Sequence, residues 1–163
     1  MDYHRVVGKI QNLLEENNFW FESFEHEPVR TSEEAARVRP EYSLKQGAKA
    51  MVIKVKKSGG GGEEFVMLVF PGDLKFDNKK VKNILNAKET RFAAEQEVLS
   101  ITRGVEPGAV PPFGNLFNLR VISDPKLFES EKIIFNAGDR SFSIAMKSAD
   151  YKQLVNPEIF DIT

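Results

Sequence analysis

The sequence predicts an α+β fold built on a mixed sheet, and three features carry that reading. Apolar residues recur at helical spacing in some stretches and at strand spacing in others. The two kinds of stretch alternate irregularly, unlike the regular repeat of a doubly wound fold. Two strand-like runs also flank four consecutive glycines, so at least one pair of strands is a hairpin. A chain of 163 residues is long enough for one proper core. No internal repeat or linker divides it, so a single domain over residues 1–163 is expected.

The elements follow in order. Val6, Ile10, Leu13 and Leu14 define an amphipathic helix over about Tyr3 to Asn17, ended by Asn17 and Asn18. "FWFESF" is aromatic and short, as a strand is. Thr31 and Glu34 have capping-box spacing, so a short helix starts near Ser32. "KAMVIKVKK" and "EFVMLVF" form the hairpin around the glycines. The second run is almost continuously apolar, as a strand buried on both faces is. Asp77 can cap a helix carrying Val81, Ile84 and Leu85. "TRFAA" is a weak strand, and "AEQEVLSITRG" a helix closed by Gly104. "NLRVIS" is a strand, and Asp124 with Pro125 suits the first turn of a short helix. "KIIFNAGDRSFSIAM" is two strands around a turn. Ser148 can cap a last helix, which Pro157 stops.

Composition narrows the function classes. The formal net charge of −1 argues neither for nor against a nucleic-acid partner. The absence of Cys removes disulfides, thiolate nucleophiles and Cys-bound zinc. Asp2 and the scattered charges after it break any signal-peptide core, and no apolar run approaches ~20 residues. A cytoplasmic protein with no membrane contact is expected. There is no HExxH, no GxGxxG after a strand, no Walker loop and no GxSxG. Of the two histidines, His4 is expected to be solvated at a helix start. His26 follows an aromatic strand and is either structural or part of a site. No His/Asp/Glu cluster has metal-ligand spacing, so neither metal nor cofactor is expected.

"GVEPGAVPPFG", Gly104 to Gly114, is neither helix nor central strand, because Gly loosens the backbone and Pro removes donors. It is either a plain turn or a loop whose backbone approaches a ligand. Together with "HEPVRTSEEAA" and "GAKAMVIK", in this order and at these separations, it resembles the YbaK/prolyl-tRNA synthetase-associated domain family. These are aminoacyl-tRNA deacylases, free-standing or inserted in bacterial prolyl-tRNA synthetases. The resemblance covers nearly the whole chain, including "FNAGDRSFSIAM", and implies a partly barrel-like sheet with surrounding helices.

The resemblance places the family's invariant lysine at Lys49 and its GxxxP loop at Gly108 through Pro112. Lys49 and Gly108 are thereby the expected catalytic residues. His26, Thr31, Pro112, Phe113, Gly114, Asn136 and Gly138 are the expected substrate-binding residues. Pro111 stands where the family often has Ser or Thr, which removes a hydroxyl. The implied substrate is the ester of a mischarged tRNA, expected to be tRNA-Pro or a related tRNA. The chain would act in trans on its acceptor end, with a synthetase as a further partner. Lys75, Lys79, Lys80 and Lys82 lie in the densest basic stretch and are the expected RNA contacts; such a stretch is otherwise a solvated helix face. The alternatives are a non-catalytic module that binds aminoacyl-tRNA or a synthetase, and a small-molecule-binding regulatory domain.

Overall fold

The computed structural model of the protein describes residues 2–39 and 41–163. Its elements run α1 (Arg5–Glu16), β1 (Phe21–Glu25), α2 (Ser32–Val38), β2 (Ala48–Lys57), β3 (Glu63–Pro71), α3 (Asn78–Leu85), β4 (Ala87–Phe92), α4 (Glu95–Thr102), β5 (Arg120–Ser123), β6 (Lys132–Asp139), β7 (Phe142–Lys147), α5 (Ser148–Val155) and β8 (Glu158–Ile159). Single 3-10 turns at Leu44–Gln46, Pro107–Ala109, Gly114–Phe117 and Pro125–Glu129 join several of them. The mixed α+β architecture is the one the sequence predicts.

The strands form two sheets. One is mixed, in the order β4-β2-β3-β5-β8, and the other is antiparallel, in the order β1-β7-β6. A parallel bridge between Gly47 and Ile134 joins them. The β3 strand is central because its sequence is apolar on both faces. Val66, Met67, Leu68, Val69 and Phe70 are each no more than 1% exposed. Val66, Leu68 and Phe70 meet Val81 and Leu85 of α3. Met67 and Val69 face the larger core, which gathers α1, α4, α5 and the second sheet. Full burial of such side chains stabilises by about 1.5–3 kcal/mol each.

One asymmetry positions the site. The β2 strand pairs with β3 from Ala48 to Lys56, but with β4 only from Ile53 onward. Beyond the Ala93 amide, which donates to the Val52 carbonyl at 2.9 Å, the chain turns away into α4. Glu97 fixes that departure by accepting from the Ala94 amide at 2.8 Å. Residues 48–51 of β2 therefore keep an edge with no strand partner among the described residues.

Several local expectations hold in detail. Thr31 Oγ1 caps α2 through the Glu34 amide, and Asp77 caps α3 through the Lys79 and Lys80 amides. Gly104, at φ +105°, follows the α4 cap in the left-handed region that the turn requires. Other details differ. His4 is not merely solvated: its Nδ1 accepts from the Val6 amide, which leaves Nε2–H to donate to the Arg103 carbonyl at 2.9 Å. Ser148 is the first helical residue rather than the cap, because its hydroxyl donates to Ser130 O at 2.6 Å.

Asp124 does more than start a turn. It is fully buried, and its Oδ2 accepts from the Ile162 amide and from the Thr163 amide and hydroxyl. Its Oδ1 accepts from the Lys126 amide at 2.8 Å. Asp124→Ala strands these buried donors, so urea titration should show a loss of about 3 kcal/mol. Lys126→Ala, which removes partly exposed contacts with Asp124, Asp161 and the Thr163 hydroxyl, should cost less than about 1 kcal/mol.

Candidate active site

The unpaired edge of β2 opens into a cavity of about 280 Å³ between the two sheets. That is near the low end for small-molecule sites, roughly 300–1,000 Å³. Gly47 to Met51 form one wall, and Ile134 to Asn136 of β6 the opposite one. Arg30, Thr31, Ser32, Ala35 and Arg39 close it from the α2 side, and Pro107, Gly108 and Val110 close it from the loop. Small residues at Ala48 and Ala50 keep the space open beside the strand. Among the described residues the lining holds three cationic side chains, Arg30, Arg39 and Lys49, and no carboxylate or histidine.

Lys49 has the strand parity of Met51 and Ile53, so its stem leans toward Phe70. Its Nζ lies 5.9 Å from that ring's centroid. It forms no ion pair among the described residues, whereas Lys54 is held by Glu63 at 3.0 Å and approached by Glu97 at 4.0 Å. The resemblance places the expected catalytic lysine at Lys49, and of Lys49 and Lys54 only Lys49 lines the cavity.

The Gly108 turn is tied down from behind. Asn136 Nδ2 donates to the Gly108 carbonyl at 2.9 Å. The Ala109 amide closes the turn onto Glu106 O at 2.9 Å. Glu106 pairs with Arg140 at 2.7 Å, and Tyr151 donates to Pro112 O at 2.6 Å. Burial pushes the Tyr151 hydroxyl pKa upward, so it stays a neutral donor. Gly108 is not in the left-handed region. A Cβ there would meet Arg140 Nε at 3.2 Å and the Arg30 backbone at 3.6 Å. Glycine at this position thus makes room for Arg140, and the lining backbone is held close as a consequence.

Behind Asn136 lies a polar relay. Ser143 Oγ is 3.2 Å from Asn136 Oδ1 and 2.7 Å from His26 Nε2, and it accepts from Arg39 at 3.2 Å. The Glu27 carbonyl, 2.8 Å from His26 Nδ1, can only accept, so Nδ1 carries a proton. In the neutral ring, Nε2 then accepts from Ser143, whose single proton serves one acceptor at a time. His26 is therefore a buttress behind the wall and not part of the lining.

Arg39 is the residue that sequence reasoning missed. It is 7% exposed, donates from Nε to Ala35 O at 3.1 Å, and has no carboxylate partner among the described residues. Desolvation lowers its pKa to about 10, so it remains charged at neutral pH. A buried, uncompensated guanidinium in a cavity wall calls for an electron-rich ligand. Nothing in "AARVRP" separates it from an ordinary solvated helix-end arginine.

Of the other expected site residues, Thr31 and Asn136 line the cavity, and Pro112, Phe113, Gly114 and Gly138 do not. Phe113 is fully buried between Phe135 and Tyr151. A Cβ on Gly114 would lie 2.5 Å from Val121, and one on Gly138 would lie 2.2 Å from Val6. These positions serve core packing. Lys79 and Lys82 lie on α3, Lys75 precedes it, and Lys80 is bound to Asp161 at 2.9 Å.

Fold and cavity together define a small domain whose cavity is lined by cations, hydroxyls and backbone, with no carboxylate or histidine among the described residues to pair with a nucleophile. The chain belongs to the aminoacyl-tRNA editing domain family, whose model matches residues 26–154. It is 34% identical over 148 residues to the Multifunctional Ser/Thr-tRNA deacylase ProXp-y of Escherichia coli K12, covering 90% of this chain and 86% of that protein. It is 23% identical to Proline--tRNA ligase of Ralstonia pickettii over 84% of this chain but 23% of the ligase. A solved structure described as a candidate trans-editing enzyme for prolyl tRNA synthetase has the same fold, with TM-score 0.79, 21% identity and 99% of each chain covered.

Gly108→Ala should cost about 1 kcal/mol, through the contact with Arg140. In an Arg140→Ala background the same substitution should cost less than half as much. A double-mutant cycle by urea titration measures that coupling.

Proposed function

We propose that the chain is a trans-acting aminoacyl-tRNA deacylase that removes a small hydroxyl-bearing amino acid, serine or threonine, from the acceptor end of a mischarged tRNA. The observation that carries this reading is the charge of the cavity: Arg39 and Lys49 with no opposing carboxylate. Ester hydrolysis builds negative charge on the carbonyl oxygen, and preorganised donors in a dry site stabilise it most. Water adds to the carbonyl carbon, and the bond to the ribose oxygen breaks. The ribose oxygen takes one proton, and the other leaves as the amino acid departs as a carboxylate. With no base in the lining, the neighbouring ribose hydroxyl is the proton relay.

In this reading Lys49 sits beside the ester and the terminal phosphate, and the 107–110 backbone approaches the carbonyl. Arg39 faces the aminoacyl side chain, where it donates to a hydroxyl and repels a basic group. The name of the E. coli relative agrees with that polarity. Discrimination of this kind is what synthetase pockets lack, because binding alone separates near-isosteres poorly.

Three variants test the reading on a panel of aminoacylated tRNAs. Lys49→Ala should keep its thermal stability and lose about 10²-fold or more in kcat/KM, while Lys54→Ala stays within about threefold. Arg39→Met should reduce the preference for seryl over alanyl ester by about tenfold. Binding of aminoacyl-tRNA by the wild type without ester loss would make the chain a binding module instead.

A further inference from the structure

A second concavity, of about 620 Å³, shares Lys49 and Met51 with the cavity and opens on the α3 side of the same sheet. Its wall is an aromatic ladder. Phe70 and Phe76 meet edge to face with centroids 6.1 Å apart, and Phe76 and Phe92 do so at 5.7 Å. Phe92 is 57% exposed, more than any other large apolar side chain among the described residues. Sheet packing does not require this ring, because the burial pattern of β4 is almost wholly open.

The rim is basic. Lys75 is exposed, and neither it nor Lys49 has an ion-pair partner among the described residues. Arg91 is held against Glu97 by two bonds of 2.7 and 3.0 Å and donates to Phe92 O at 3.0 Å. Glu97 thus offsets Arg91 and fixes its plane beside the exposed ring, and two free cations remain.

We propose that this groove binds the unpaired 3′-terminal nucleotides of the tRNA, with a base stacked on Phe92 and phosphates drawn to Lys49 and Lys75. The inference builds on the deacylase reading of the adjoining cavity. With the ester beside Lys49, the chain of nucleotides that carries it leaves past the wall the two spaces share. Stacking platforms with basic rims are the general chemistry of single-strand binding, and every base offers a face to an aromatic ring. A protein-docking surface, in contrast, is depleted in lysine at its core.

The test uses an unacylated acceptor-stem hairpin ending in the single-stranded CCA, and the same hairpin with those nucleotides removed. Fluorescence anisotropy with wild type should show binding at least about tenfold tighter when CCA is present. Phe92→Ala should lower that affinity to the level of the trimmed hairpin and leave the trimmed hairpin's own binding unchanged. It should raise KM for the acylated tRNA about tenfold at constant kcat. Unchanged thermal unfolding will show that the exposed ring was not structural. Equal binding of both hairpins by wild type, or CCA binding by Phe92→Ala equal to wild type, overturns the proposal. So does a variant that loses only capture by prolyl-tRNA synthetase, which would make the groove a protein-docking surface. Because the hairpin carries no ester, CCA-dependent binding without hydrolysis would sustain the groove and sink the deacylase reading. Hydrolysis indifferent to Phe92 would do the reverse.

Discussion

The unpaired edge of β2 is the constraint on which the rest of the structure depends. Had β4 continued alongside residues 48–51, the seam between the sheets would be filled and the cavity would not exist. The strand stops because Glu97 ties the chain into α4 just beyond Phe92. On its other side β2 is locked to β3, whose apolar faces hold both cores. An exposed edge is normally a hazard for aggregation. Here the start of α2 and the 107–110 turn cover it and enclose a cavity beside it.

The Gly108 turn and Asn136, which face this edge, are held from behind. The Gly108 carbonyl is fixed by Asn136, and Asn136 by the cluster of Ser143, His26 and Arg39. The relay spans α2, β6, β7 and the loop, so the positions of the lining groups are set by parts of the chain far apart in sequence. Such preorganisation suits a reaction with no covalent intermediate, because fixed dipoles and charges need not rearrange as the oxyanion forms. The absence of a carboxylate from the lining matters as much as the cations present, since an internal ion pair would cancel their field.

Much of this was legible in the sequence. The hairpin, the Thr31 and Asp77 caps and the mixed architecture follow from local periodicity and capping chemistry. Lys49 and the GxxxP loop stand out through the family resemblance, since pattern alone reads them as a strand end and a turn. What was not legible depends on long-range packing. Phe113 looks like a loop aromatic until Phe135 and Tyr151 close around it. Gly108 reads as room for the backbone to approach a ligand, yet a Cβ there would first meet the neighbouring Arg140. Arg39 looks like a surface charge until Ser143 and the cavity wall surround it. Lys75 and the lysines of α3 form one basic stretch in sequence, but Asp161 takes Lys80, and of the four lysines Lys75 alone lines the groove.

In the proposed deacylase the ester sits between Lys49 and the Gly108 turn, in a field supplied by the cavity's cations, Arg30, Arg39 and Lys49. A crystal structure with a non-hydrolysable analogue, serine joined to the 3′ position of adenosine through an amide, tests it most directly. The amide carbonyl is expected within hydrogen-bond distance of the 107–110 backbone, the ribose beside Lys49 and the serine hydroxyl toward Arg39. An analogue bound elsewhere, or one with its carbonyl turned away from that turn, would contradict it.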